Sequence, residues 1–231
     1  MILSVHQPQY IPWLGYFHKI ANSDIFVYLD NVQYKKREFQ NRNKIRTKDG
    51  WLWLTVPVIT KGRYYQKILE VEIDNTDLWQ NSHWGSLKLN YGKAEHFLEH
   101  KDFFESVYSA KWEKLITLNI KIIEYLLKAF EIKTSVCCES KLDISETATD
   151  RIIQICKKLN ADTYLSGQGA KEYLEEGKFK EAGIKLAWQE FSHPQYHQCY
   201  DGFEPYISAI DLLFNEGKRS KEILLGRGVG G

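Results

Sequence analysis

Four polar segments carry the residue types that acid–base chemistry and ligand recognition need: His6 to Tyr16, Asp30 to Arg37, Ser166 to Gly169, and His193 to Gln198. They are rich in His, Gln, Tyr and Trp where ordinary surface loops carry Ser, Asp and Lys. His6 and His193 are candidate general bases, because imidazole titrates near neutrality. Asp30 could orient a histidine or bind a sugar hydroxyl. Tyr10, Trp13 and Tyr16 offer flat faces suited to a pyranose or a nucleobase, with core packing as the competing role for Trp13, which has Leu14 and Phe17 beside it. Lys35, Arg37 and Arg42 could pair with a diphosphate, the arginines through two parallel hydrogen bonds. Ser166 and Gly167 form a small-residue turn before a helix, where backbone N–H groups favour an anion. Gln7, Gln33, Asn41 and Tyr196 complete the candidate substrate-binding set.

Positioning those segments requires a sheet. The first thirty residues read as strand, Pro-rich loop, helix and strand: ILSVH, a loop with Pro8, Pro12 and Gly15, a helix from about Tyr16 to Asn22, and IFVYLD. This is a βαβ unit, and so a parallel sheet. The alternation resumes with TSVCC, ETATDRIIQICKKLN, TYLSG, AKEYLEEGKFKEAG and KLAWQEF. Thr147 or Ser145 would cap the first of these helices and Gly183 would end the second. Five strands, near 2–6, 25–30, 134–138, 163–166 and 185–191, predict an α/β, Rossmann-like, mostly parallel five-stranded sheet with its first strand central. In such sheets the ligand crevice lies at the carboxyl ends of the strands, and each polar segment follows one.

Residues 39–130 break this rhythm. Alternation around Lys48-Asp49-Gly50 predicts an inserted β-hairpin. Farther on, Trp112, Leu115, Ile116, Ile122, Ile123, Leu126 and Leu127 recur at three- and four-residue intervals, so two or three helices follow. The expectation is one domain over 1–231 with an inserted lobe at about 39–130, and a frayed LGRGVGG tail.

Composition bounds the function. With 31 basic and 30 acidic residues in 231, net charge +1, bulk electrostatic binding to nucleic acid or anionic lipid is not expected. Six of the twelve residues from Lys35 to Arg46 are nevertheless basic, with Glu38 the only acid, which marks either an anion-binding surface or a solvated hairpin face. Cys137, Cys138, Cys156 and Cys199 lack disulfide or zinc spacing and read as thiols, so no metal is expected. No apolar run reaches the roughly 18 residues of a membrane span, and the opening residues lack a secretory pattern; the expected compartment is the cytoplasm.

The run HQPQYIPWLGYFHKIANSDIFVYLDNVQYKKREFQNRNKI resembles the N-terminal signature of the WbqC-like family, and YLSGQGAKEYL, QEFSHPQYHQ and ISAIDLLFNEG resemble its later blocks. The likeness spans nearly the whole chain in order. It implies a bacterial protein of amino-sugar and surface-polysaccharide (O-antigen) biosynthesis, and acylation of an amino sugar, with glycyl as one acyl group. The opening is also similar to HIGH-type nucleotidyl transferases and pantothenate synthetase. On alignment at Gly15, however, Trp13 and Tyr16 stand where those enzymes carry their two histidines. IFVYLDNVQY resembles the strand and loop with which pantothenate synthetase holds a carboxylate substrate, which implies a substrate-orienting amide at Gln33.

The leading expectation is a transferase that attaches an acyl or aminoacyl group to the amine of a nucleotide-linked amino sugar. Its cofactor is open: ATP to form an adenylate, a thioester, or an aminoacyl-tRNA as donor. The alternatives are a nucleotidyl transferase and a non-catalytic sugar-nucleotide-binding protein. Oligomeric state is not legible.

Overall fold

A computed structural model describes residues 1–226; Arg227 to Gly231, most of the glycine-rich tail, lie outside the described residues. Five parallel strands form the main sheet: β1 (Ile2–His6), β2 (Ile25–Tyr28), β5 (Ser135–Cys138), β6 (Thr163–Ser166) and β7 (Lys185–Trp188). Their order across the sheet is β5-β2-β1-β6-β7, with β1 central as expected. The chain therefore builds outward from β1 through β2 to β5, then returns to the other side of β1 for β6 and β7. That reversal makes the gap between the carboxyl ends of β1 and β6 a topological switch point, the place where such sheets open a crevice.

Side-chain alternation splits the core between the two faces. Phe26 and Tyr28 of β2 pack into one cluster with Leu14, Phe17 and Ile20 of α1 (Leu14–Ala21) and with α4 (Leu115–Ala129). Val27 joins Leu3 and Val5 of β1 in a second cluster, under Ile152, Ile153 and Cys156 of α5 (Ala148–Lys158) and Phe179 of α6 (Glu176–Glu181). Both faces of the central strands are thus covered, which is why β1 is apolar on both faces from Ile2 to Val5 apart from the buried Ser4. The N-cap of α5 is Thr147, and Gly183, φ +71°, follows the end of α6.

The insertion begins with an antiparallel hairpin, β3 (Arg42–Thr47) and β4 (Gly50–Thr55), paired from Arg42 with Thr55 to Thr47 with Gly50. Gly50 adopts φ +123°, a backbone that glycine supplies without a Cβ clash. Three helices follow: α2 (Trp79–Tyr91), α3 (Phe97–Ser109) and α4, whose Leu115, Leu118, Ile122 and Leu126 are fully buried. Two short helices, α7 (Ile210–Glu216) and α8 (Ser220–Leu224), close the described chain. Among the described residues, no helix is long and apolar enough to cross a membrane.

Three elements are shorter than their patterns suggest. β2 ends at Tyr28 and β7 at Trp188. The helix expected over AKEYLEEGKFKEAG shrinks to α6, because Gln168–Ala170 forms a 3₁₀ turn and Glu175 is extended (φ −88°, ψ 93°). The residues released from it, Ala170, Tyr173 and Leu174, line the crevice instead.

Candidate active-site cavity

A cavity of about 770 Å³ opens at the switch point. Its floor is the end of β1 (Val5, His6, Gln7) and of β6 (Tyr164, Ser166, Gly167). One wall is the segment after β2, with Asn31, Gln33 and Lys35; another is the first turn of α5, with Ala148 and Arg151. Tyr65 and Lys67 reach in from the loop that follows the hairpin, and Tyr173 faces from beyond β6. The loop bearing Lys67 is tied down by the Gln33–Lys67 bridge and by Gln33 Nε2 donating to Tyr64 O at 3.0 Å.

Charge is the distinguishing property. The lining holds four cationic side chains, Lys19, Lys35, Lys67 and Arg151, together with His6, and no Asp or Glu. Lys67 donates to Asn31 Oδ1 at 2.8 Å, and Arg151 pairs with the buried Glu139 behind the wall. A concave, uniformly basic lining favours an anionic ligand, since low-dielectric walls concentrate the field. Tyr65 and Tyr173 are 82% and 69% exposed, so their rings are free to stack on a ligand at the mouth.

His6 sits at the end of β1, half-buried, with its ring edge-on to Tyr16 at 5.2 Å. Nδ1 lies 3.1 Å from Gln7 O, so it carries the proton and leaves the lone pair on Nε2. Burial, helped by the charge of Lys19, lowers its pKa to about 3 against a smaller upward pull from the Gln7 hydrogen bond. The imidazole is therefore neutral at pH 7, and in the open cavity it is a weak base.

Lys19 projects from α1 beneath β1. It is 5% exposed, donates from Nζ to Val5 O at 3.0 Å, and has no acidic partner among the described residues. Burial lowers its pKa to about 7.

Several residues that the sequence nominates lie elsewhere. Tyr10 and Tyr16 are core side chains, 0% and 1% exposed, and Tyr10 hydrogen-bonds His83 and Tyr108. Their faces are used in packing. Trp13 packs against Phe191 and Tyr206, outside the cavity. His193, which does not line the cavity, is stacked on Tyr196 with Nδ1 held by Pro194 O at 2.8 Å. Asp30 is 2% exposed and accepts from Ser140 N at 2.8 Å and Ser140 Oγ at 2.5 Å, so its carboxylate ties β2 to the turn after β5. Asn41 bonds Val56 O. Arg42 donates to Arg37 O and lies over the Trp53 ring at 4.4 Å, while Arg37 is exposed on the hairpin side. The expected basic stretch is thus largely a hairpin face, and Lys35 alone of its six cations reaches the cavity.

From the nominated set, His6, Gln7, Gln33, Lys35, Ser166 and Gly167 come together. Sequence reasoning missed Lys19, Lys67, Arg151, Tyr65 and Tyr173. Lys19 did leave a signal: it falls three residues after Tyr16 and one before Ile20, on the apolar face of α1, where an amine is out of place. Lys67 and Tyr65 left none, because a tertiary bridge delivers them.

The comparisons with known proteins agree along the chain. The model of the WbqC-like protein family matches residues 7–223, which include all the cavity-lining residues except Val5 and His6 of β1. Over 224 residues the chain is 38% identical to the uncharacterized protein Rv1507c of Mycobacterium tuberculosis, an alignment covering 96% of each. No solved structure matches it. The chain belongs to the WbqC-like protein family.

Proposed function

We propose that this protein is a transferase of surface-polysaccharide biosynthesis that attaches an acyl or aminoacyl group, such as glycyl, to the amine of a nucleotide-linked amino sugar. Family membership supports the pathway, and one observation carries the substrate class: the switch-point cavity is lined by four basic side chains and no acid. Lys35, Lys67 and Arg151 hold the diphosphate, in the role that the sequence suggests for Arg37 and Arg42. Tyr65 or Tyr173 stacks on the base or the sugar.

In the reaction, the sugar nitrogen attacks the acyl carbon and forms the C–N bond. The leaving group departs with its electron pair: AMP from an adenylate, a thiolate from a thioester, or the ribose oxygen of an aminoacyl-tRNA. The proton from nitrogen passes to His6 Nε2, which carries the lone pair. Bound phosphate strengthens this base, because a neighbouring anion raises an imidazole pKa. Gln7 and Gln33 orient the substrate.

The test is incubation with UDP- and dTDP-linked amino sugars and each donor class, read by mass spectrometry. A new N-acyl sugar is expected; its absence from every pairing overturns the reading. His6→Ala should lower kcat by two to four orders of magnitude and leave substrate affinity near wild type, whereas His193→Ala should leave both nearly unchanged. Wild-type turnover by His6→Ala would remove it as the proton acceptor. Nucleotidyl transfer is the second reading, favoured by the same basic cavity with a histidine in it. It predicts pyrophosphate release from a nucleoside triphosphate in the same assay.

A further inference from the structure

We propose that the Lys19 amine, at the base of the cavity, is the seat of an oxyanion of the ligand and takes up a proton as that anion arrives. The inference rests on reading the switch-point cavity as the ligand site, and goes beyond it by assigning the group that anchors the ligand.

Geometry carries the argument. Lys19 reaches from α1 to the end of β1 and places its Nζ against Val5 O at 3.0 Å. An ammonium has three donors, and this bond uses one. The side chain is 5% exposed, so water offers little to the others, while the residue itself lines the cavity. Every charged or titratable group that faces the same space is basic or phenolic. From β1 there is His6, from β6 Tyr164, from α5 Arg151, from the segment after β2 Lys35, from the loop after the hairpin Tyr65 and Lys67, and beyond β6 Tyr173. No element around the cavity contributes a carboxylate to its lining.

A buried cation without a counter-charge is costly, so the amine sheds its proton readily, consistent with its lowered pKa. An oxyanion brought within hydrogen-bonding distance reverses that balance, because it supplies both the missing charge and the missing acceptors. Binding and protonation are therefore coupled. The switch-point position fits, since the carboxyl ends of β1 and β6 are where a phosphate is held in sheets of this topology. Phosphate and carboxylate share the required chemistry: the first would belong to the nucleotide-linked sugar, the second to an acyl donor.

The coupling is read by calorimetry on the full chain with inorganic pyrophosphate in one arm and acetate in the other. Each titration is run in two buffers of different ionisation enthalpy, from pH 6 to 9. Wild type should take up close to one proton per anion at pH 8. Its affinity should be flat below pH 7 and weaken by up to tenfold per pH unit above it. Lys19→Met should weaken binding about tenfold or more at pH 7 and abolish the uptake. Lys19→Arg, permanently charged, should retain binding and lose the uptake, and this outcome shows that the fold has survived substitution. Binding of pyrophosphate alone assigns the seat to the phosphate, and binding of acetate alone to the donor carboxylate. Affinity that stays flat from pH 7 to 9, undiminished uptake in Lys19→Met, or no binding of either anion overturns the proposal. Acyl transfer plays no part in this readout, so a failed transferase assay leaves the inference standing, and a failed titration leaves the transferase reading to its own test.

Discussion

Glu139 has a fully buried side chain, and its counter-charge is Arg151, whose side chain is 14% exposed and which also lines the cavity. Burial pushes the Glu139 carboxyl above the usual range, and the neighbouring Asp30 adds to that, while Arg151 pulls it back. The pair thus links the wall of the site to the fold. Truncating one partner of a buried pair leaves the other charge uncompensated, which costs about 3 to 5 kcal/mol. Arg151→Met should lose roughly that much in urea denaturation. The double variant Arg151→Met with Glu139→Gln should regain most of it, because no lone charge remains. Anion affinity separates the two functions of the residue: it should stay low in the double variant even where stability returns. Full recovery of affinity would show that Arg151 contributes only to the fold.

Helix α1 shows how an element fixes both core and site. It enters from an extended Trp13 with no side-chain cap, and its other end is closed by Asn22, whose amide donates to His18 O at 2.8 Å. A Cβ at Gly15 would lie 2.2 Å from the Trp13 ring, which is itself packed by Phe191 and Tyr206. Gly15 O also accepts Gln189 Nε2 at 2.8 Å, joining α1 to the end of β7. Gly15→Ala should therefore displace the indole and cost about 1 to 3 kcal/mol, the usual range for overpacking, visible as a lower Tm and altered Trp fluorescence. An unchanged Tm and spectrum would show that the ring moves aside freely. Elements of this kind were legible in the sequence. Short segments rich in apolar residues, alternating with helical patterns, marked all five parallel strands, and Lys48-Asp49-Gly50 marked the hairpin turn. Aromatic side chains were not, since Tyr10, Tyr16 and Trp13 have the composition of a binding surface and the packing of a core. Nor was the cavity's charge. Lys67 and Arg151 stand 84 residues apart in sequence and meet only because the switch point gathers loops from both halves of the sheet.

Across the molecule, buried basic groups outnumber buried acids in setting how stability follows pH. His6 and His83 are lowered from 6.5 to about 3 and about 4, each chiefly by burial, and Lys19 from 10.5 to about 7. For such groups the unfolded chain holds more protons than the folded one between the two pKa values, so stability falls as the pH falls through that window. Lys19 acts between pH 10.5 and 7, and the two histidines below 6.5. Asp211, raised to about 6 by burial, works the other way between pH 6 and 4, and offsets part of the loss. His83 gives the cleanest measurement. It is 5% exposed, away from the cavity, and its Nδ1 meets Tyr10 Oη at 2.8 Å beside Trp79 and Tyr108. Protonating it places a charge among aromatic rings, at a cost on the order of 2 kcal/mol by pH 4.5. His83→Asn keeps a polar side chain within reach of Tyr10 and removes the titration. Urea denaturation at pH 7.5 and 4.5 should show wild type losing roughly 2 kcal/mol more than the variant on acidification. Equal losses would mean that the imidazole takes up its proton as readily in the folded protein as in the unfolded chain, and that acid sensitivity comes from His6 and the remaining lowered histidines.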